Sequence, residues 1–325
     1  MTFALALLLL ALQRPAAPAE VSREAVLMGT RAMLVARAAT RADALAALEQ
    51  LLRALEAAEN DLSTWRDTPF NRLNALPGEQ PASLDPALCA LFGELETWTH
   101  ETAGTFDPGV GPLLDFWGVQ SQARIPSGDE IARALPSSRL PAWRFDRARC
   151  TIVRPSGGRL DSGGFGKGEA IDRAARQQAG AEGWLVDLGG QVGVQGRPPP
   201  GGWRVGIAHP RDRAYALFEV IVTSGSIATT AGSERDQRAH GVRVGHVLDP
   251  RTGTPAAFDG AVVVWHERAL VADILSTALY VMGPGDGLRW ADARGLAACF
   301  LVPSAGGTIV HVRPSRAFRA KFPAH

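Results

Sequence analysis

From residue 183 onward the chain is punctuated by short apolar runs, at 184–188, 203–208, 217–223, 242–248, 261–265, 297–302 and 308–312. Runs of this length between turn residues read as β-strands. Many follow one another with no helical pattern between them. A parallel pair needs a crossover of about a dozen residues or more, usually a helix. Only two helices accompany the series, one before it near 167–179 and one within it near 268–282. The strands must therefore pair largely antiparallel. The pattern predicts an α+β fold, a largely antiparallel sheet core with packed helices, and excludes a doubly wound sheet.

The first half is more helical. Residues 25–36 (AVLMGTRAMLVA) read as a strand. Leu45, Leu48, Leu52 and Leu55 recur at helical spacing and place an amphipathic helix over 41–59. Leu88, Leu91, Leu95 and Trp98 do the same over 86–102, with Asp85 as N-cap and Pro86 in the first turn. Residues 119–141 are rich in Pro, Ser and Gly and form a connection, with a short helix near 128–134. The tail is basic, and 316–325 is expected to be loose.

Residues 3–12 (FALALLLLAL) are too few to cross a bilayer as a helix. Followed by the small-x-small pattern Ala17-Pro18-Ala19, they read as a signal peptide over 1–19, cleaved before Glu20. That makes the protein periplasmic or otherwise exported. No Lys or Arg precedes the apolar run, so a misplaced start or a buried helix is the competing reading. No cysteine lies in 1–20, so nothing marks a lipoprotein. Cys89, Cys150 and Cys299 are far apart and make no CxxC; an odd count closes no disulfide framework, and buried thiols are expected. The formal net charge of +1 gives no global field for nucleic acid or an anionic membrane.

Four segments could carry chemistry. Asp161-Ser162-Gly163-Gly164-Phe165-Gly166-Lys167-Gly168 leads into a helix. Glycines allow close backbone approach, free N–H groups at a helix start attract anions, and Lys167 adds charge, a plausible cradle for a pyrophosphate. It is not a Walker A loop, because Asp161 and Gly168 stand where that motif needs Gly and a hydroxyl. Such a turn is as readily structural. Asp273 and Thr277 lie one turn apart on the apolar helix 268–282, with Ser276 nearby. A buried carboxylate there needs a partner: a hard cation such as Mg²⁺ with phosphate, or a helix or cap N–H. His246 begins the turn His246-Val247-Leu248-Asp249-Pro250-Arg251-Thr252-Gly253 at a strand end, where a lone His is more often structural. Gly104-Thr105-Phe106-Asp107-Pro108-Gly109 is an ordered loop with one carboxylate.

Taken together, the chain resembles the ApbE-type family of FAD:protein FMN transferases. In order, the resemblance comprises MGT (28–30), LSTW and RLN (within 62–74), GTFDPGVGPL (104–113), DSGGFGKGEAID (161–172) and VDLGG (186–190). It continues with WRVGIAHP (203–210), GHVLDPRTG (245–253) and VADILSTALYVMGP (271–284). It implies a flavin transferase, T-fold-like architecture over residues 20–315. Met28, Trp65, Thr105, Phe106, Asp107, Asp161, Lys167 and Leu248 match positions that hold FAD. Gly164, through its carbonyl, with Asp273 and Thr277, matches a metal site, and Ser276 is an additional candidate ligand. His246 matches a histidine that handles the flavin; it and Asp273 are the residues expected to carry the chemistry. Two departures stand out. An aromatic often seen as Tyr is Trp65, and the family's SG-(D/S)-Y-E run appears as Thr230-Ala231-Gly232-Ser233-Glu234, without its tyrosine.

The resemblance implies a Mg²⁺-dependent transferase that cleaves its substrate FAD and attaches FMN through a phosphoester to a Thr or Ser, releasing AMP. The general base stays open between His246 and a carboxylate such as Asp107. The family's acceptor motif, of the form D-G-x-T-[SA]-[AT]-T, is missing: Asp259-Gly260-Ala261-Val262 has no hydroxyl in place. The acceptor is then a separate exported or membrane redox protein, and any peripheral membrane association runs through it. Two alternatives share the site: an FAD pyrophosphatase giving FMN and AMP, and a non-catalytic flavin-binding redox-assembly protein.

Overall fold

The computed structural model describes residues 17–177, 180–232, 236–304 and 309–323. The expected signal peptide falls almost wholly outside them. Strands β1 (Ala19–Leu27) and β2 (Thr30–Ala38) lead to helices α1 (Arg41–Leu62) and α2 (Pro69–Asn74). Then come β3 (Pro81–Ser83), α3 (Pro86–Glu101), α4 (Gly111–Trp117), α5 (Gly128–Ala134), β4 (Arg144–Asp146), β5 (Thr151–Val153) and α6 (Gly166–Gln177). The second half holds β6 (Gly183–Leu188), β7 (Gln191–Gly196), β8 (Trp203–His209), β9 (Asp212–Val222) and β10 (Gly225–Ala231). It continues with β11 (Gln237–Ala239), β12 (Val242–Val244), β13 (Leu248–Asp249), β14 (Thr254–Pro255) and β15 (Ala261–His266). Helix α7 (Ala269–Ala293), β16 (Ala297–Pro303), β17 (Val310–Pro314) and α8 (Arg316–Lys321) complete the chain.

Eight strands form one sheet in the order β1-β2-β6-β7-β10-β15-β16-β17. Every neighbouring pair is antiparallel, as the directly joined runs require. Successive side chains point to opposite faces, and both faces are covered. Val262 and Val264 of β15 pack with Val271, Leu275 and Leu279 of α7. Ala261 and Val263 pack on the other side with Val205, Ile207 and Val220 of the β8–β9 ribbon. Helices α1 and α6 cover the β1–β2–β6 end. A smaller unit, α2 and α3 with the sheet β3-β5-β4, has its own core around Phe70, Phe92 and Leu95.

Four expectations are corrected. Residues 25–36 are a hairpin: Leu27 pairs with Thr30, and Met28 and Gly29 form the turn with φ of 50° and 69°. A two-residue hairpin turn of this kind needs positive φ at both positions, and Met carries none of the usual Asn-Gly signal. The run 242–248 is split between β12 and β13, with His246 in the gap. The basic tail is not loose through 322: Ser315 caps α8, and Phe318 and Phe322 are buried against the sheet. Last, Cys89 and Cys150 form a disulfide across 61 residues, with Cα atoms 5.4 Å apart. Helix α3 carries Cys89 onto the small sheet, and the β4–β5 turn delivers Cys150 there, a tertiary contact that spacing does not encode. Cys299 is the buried thiol expected, and burial pushes it up to about 12.

Candidate active site

The glycine loop is held by an aromatic anchor. Phe165 is fully buried, its ring 5.8 Å from that of Phe70 and 6.4 Å from that of Phe106. Asp161 closes the loop: its Oδ1 accepts the Gly163 N–H at 2.8 Å and its Oδ2 accepts the Gln120 amide at 2.9 Å. Helix α6 then starts at Gly166 and crosses α7. A Cβ on Gly168 would lie 2.3 Å from the Ala269 carbonyl oxygen, so only glycine permits this crossing. Asp172, one turn on, accepts the Ala269 and Leu270 N–H groups at 2.7 and 3.2 Å and caps α7 from outside.

The crossing brings the two charged groups together. Lys167 Nζ lies 3.2 Å from Asp273 Oδ1, and the Gly168 N–H donates to Asp273 Oδ2 at 3.0 Å. The partner that a buried Asp273 required is thus the first turn of α6. Thr277, one turn along α7, donates to the Asp273 carbonyl at 3.2 Å. A Cβ on Gly164 would meet Thr277 Oγ1 at 3.5 Å and Phe106 at 3.3 Å, which places the loop backbone against that hydroxyl. Ser276 departs from its expected role. It is fully buried, donates to the Asp273 carbonyl at 2.9 Å and bonds to Thr230 Oγ1 of β10 at 2.7 Å, so it faces the sheet.

One cavity of about 1100 Å³ is lined by all the other expected residues: Met28, Trp65, Thr105, Phe106, Asp107, Asp161, Gly164, Lys167, His246, Leu248, Asp273 and Thr277. Met28 reaches it through the strained hairpin turn, whose N–H at Met28 donates to Glu59 of α1 at 3.1 Å. A bulky residue at positive φ costs energy and clusters at functional sites. Trp65, just past α1, is 71% exposed at this cavity. Residues given no role in the sequence reading line it too, among them Asp187, Arg204, His209 and Arg213. Asp187 sits inside VDLGG, and burial pushes its carboxyl up against the opposing pull of the Gly190 N–H and Arg213.

Among the described residues no three His, Cys, Asp or Glu side chains gather into a metal-holding group. The Asp273 carboxylate, the Thr277 hydroxyl and the Gly164 backbone are instead a sparse set of hard oxygen donors around one corner. Mg²⁺ is commonly bound by one or two carboxylates plus phosphate oxygens and water, so these residues fit that ion.

Asp107 is buried beside the same corner. Its Oδ1 accepts the Gly109 and Leu140 N–H groups at 2.8 and 2.7 Å, while its Oδ2 has no hydrogen-bond partner. Burial, partly opposed by those two N–H groups and by Arg139, raises its carboxyl to about 6. Below the ordinary value of 3.8 the group is protonated in both folded and unfolded chains, so the cost is absent. As pH rises through about 6 the folded carboxyl must ionise, and stability falls. A shift of this size is worth about 3 kcal/mol. Asp107→Asn keeps an oxygen for the two N–H groups, and should lose this part of the decline. Urea midpoints of both proteins at about pH 4.5 and 7 check it; parallel declines would show that Asp107 is not the titrating group.

An antiparallel sheet bearing two crossed helices, with a glycine loop, a lysine and a carboxylate at their crossing, defines a class of α+β protein built around a large ligand cavity. The sequence matches the model of the ApbE family over residues 28–300, and the chain belongs to that family. A relative from Klebsiella pneumoniae (strain 342), named FAD:protein FMN transferase, is 30% identical, with 90% of this chain and 88% of the relative covered. One of the same name from Escherichia coli (strain K12) is also 30% identical, over 77% and 74% of the two chains. The crystal structure of the ApbE protein from Thermotoga maritima aligns with a TM-score of 0.84 at 27% identity, covering 94% of this chain and 99% of that one. Flavinyl transferase ApbE from Pseudomonas stutzeri, in its apo form, gives 0.80 at 27%, over 95% and 98%. The antiparallel α+β expectation and the family resemblance both hold.

Proposed function

We propose that this protein is an exported FAD:protein FMN transferase that uses Mg²⁺ and delivers FMN to a Thr or Ser hydroxyl of a separate protein. The observation that carries the reading is the Lys167–Asp273–Thr277–Gly164 corner, set in a cavity also lined by His246 and Trp65. At about 1100 Å³ that cavity exceeds the roughly 300–1,000 Å³ of most small-molecule sites, as a dinucleotide requires. Lys167 and the positive end of the α6 dipole would attract the diphosphate. Asp273, Thr277 and the Gly164 carbonyl would hold Mg²⁺, which neutralises charge on the diphosphate oxygens. The protein's part is alignment: phosphoryl transfer needs positioning and charge compensation more than covalent help. Export is supported by the Cys89–Cys150 disulfide, since such bonds persist in oxidising compartments.

The test is to incubate enzyme, Mg²⁺, FAD and a peptide bearing the acceptor motif, then weigh the peptide. Peptide carrying FMN, with AMP released in step, is the expected result. AMP with only free FMN, over several acceptor peptides, would establish the pyrophosphatase instead. Tight FAD binding with neither product would leave a carrier.

Trp65 offers a second check. An exposed indole at the cavity rim is available for stacking on an isoalloxazine ring. Base–aromatic stacks are worth about 1–3 kcal/mol, so Trp65→Ala should weaken FAD binding about 10- to 100-fold. Fluorescence titration reads this directly, and an unchanged Kd would remove Trp65 from the flavin site.

A further inference from the structure

His246 is held by Asp236, which lies just beyond the run where the family's tyrosine is missing. Asp236 stands at the entry to the β11–β12 hairpin, ten residues before the histidine. His246 Nδ1 lies 2.7 Å from Asp236 Oδ1, and the same oxygen accepts the His246 backbone N–H at 2.9 Å. Asp236 Oδ2 accepts Nε and Nη2 of Arg243 at 2.9 and 2.5 Å. Arg243 is steadied in turn by Asp259, whose other oxygen accepts from Arg211 at 3.1 Å. The Asp236 side chain is only 5% exposed. Burial works to raise its carboxyl, but the bonds from His246 and Arg243 outweigh it and hold the group at about 2.

An ionised carboxylate only accepts. The ring nitrogen facing it must therefore carry the proton, and in the neutral imidazole the other nitrogen then bears a lone pair. We propose that Asp236 is a positioning residue: it locks His246 in the Nδ1–H tautomer and leaves Nε2 as the proton acceptor of the cavity. The inference rests on the transferase reading above. In that reaction the acceptor hydroxyl oxygen bonds to the phosphorus of the FMN half, and its proton passes to Nε2. The bond from that phosphorus to the bridging oxygen breaks, and AMP leaves with the electron pair. Asp236 stabilises the imidazolium that forms, as an aspartate behind a catalytic histidine does elsewhere. Asp107 is a poorer candidate base, because its Oδ1 is taken by two N–H groups and its Oδ2 is buried.

The experiment pairs ¹⁵N NMR of the His246 ring with kinetics of Asp236→Ala. In the wild-type protein, neutral His246 should be protonated at Nδ1 and bare at Nε2. In the variant that preference should fade, and kcat for FMN transfer should fall about 10²-fold with KM for FAD near the wild-type value. A wild-type ring protonated at Nε2 overturns the proposal, as does a variant with undiminished kcat. Should the variant not fold, the wild-type spectrum alone decides. Failure of the wild-type enzyme to label any acceptor would count against the transferase reading, while the tautomer is still read independently.

Discussion

Asp273→Asn should lower FMN transfer by about 10³-fold or more, equivalent to about 4 kcal/mol of transition-state stabilisation. The substitution is nearly isosteric, and its amide oxygen can still accept the Gly168 N–H. What it removes is the carboxylate that pairs with Lys167. The proposed cation then loses its only charged protein ligand. Lys167 also loses its partner, but its side chain is 24% exposed and can turn to water, so the fold should persist. The measurement is AMP release at saturating FAD over a Mg²⁺ titration, beside the wild type treated with EDTA. A variant retaining more than about a tenth of the wild-type rate would refute the metal role, because loss of a ligand to charge-neutralising machinery costs far more than that.

The second large effect concerns stability. Breaking the Cys89–Cys150 bond, as Cys89→Ser/Cys150→Ser or by reduction, frees a loop spanning 61 residues. The chain-entropy relation puts its closure at about 4 kcal/mol. For a chain of this size that lowers Tm by about 6 °C. The loss should not stay local. Helix α3 shares a core with Phe106 and Phe165, which anchor the two loops that line the cavity. FAD affinity should therefore weaken along with Tm. Calorimetry with and without reductant, followed by FAD titration, checks both; a shift below about 2 °C would make the bond an ornament of the fold rather than a brace.

The parts of this fold that a reader of the sequence can see are those where both sheet faces are buried. Residues 261–265 and 297–302 are uninterrupted apolar runs for that reason. Strands β7 and β10 stay hidden because packing asked for small residues. At Gly193 of β7 a Cβ would fall 2.3 Å from Ile171 of α6, so the helix contact that secures the strand erases its apolar signal. The hairpin inside 25–36 is masked by Met28, whose side chain serves the cavity while its backbone makes the turn. At the site, Asp273 and Thr277 can be picked out because their i, i+4 spacing puts them on one side of α7, and Lys167 because it follows a glycine run into α6. Ser276 shows the limit of that logic: at i+3 from Asp273 it turns toward β10 and away from the cavity. Asp236 gives no signal at all, since its pairing with His246 depends on how an irregular segment folds back.

The contact between Gly168 and the Ala269 carbonyl works as a ruler. With bare backbone on one side and a carbonyl on the other, the two helices have no cushion of side chain to compress. The spacing of the α6 and α7 backbones beneath Lys167 and Asp273 is set by main-chain atoms and does not drift with rotamers. An alanine at 168 would splay the crossing and lengthen that gap before it disturbed anything else. A helix pair without slack does not gape, so this side of the cavity stays closed. Access to the cavity is then left to its open side, where Trp65 stands 71% exposed, so that a rigid floor lies opposite a solvent-facing wall.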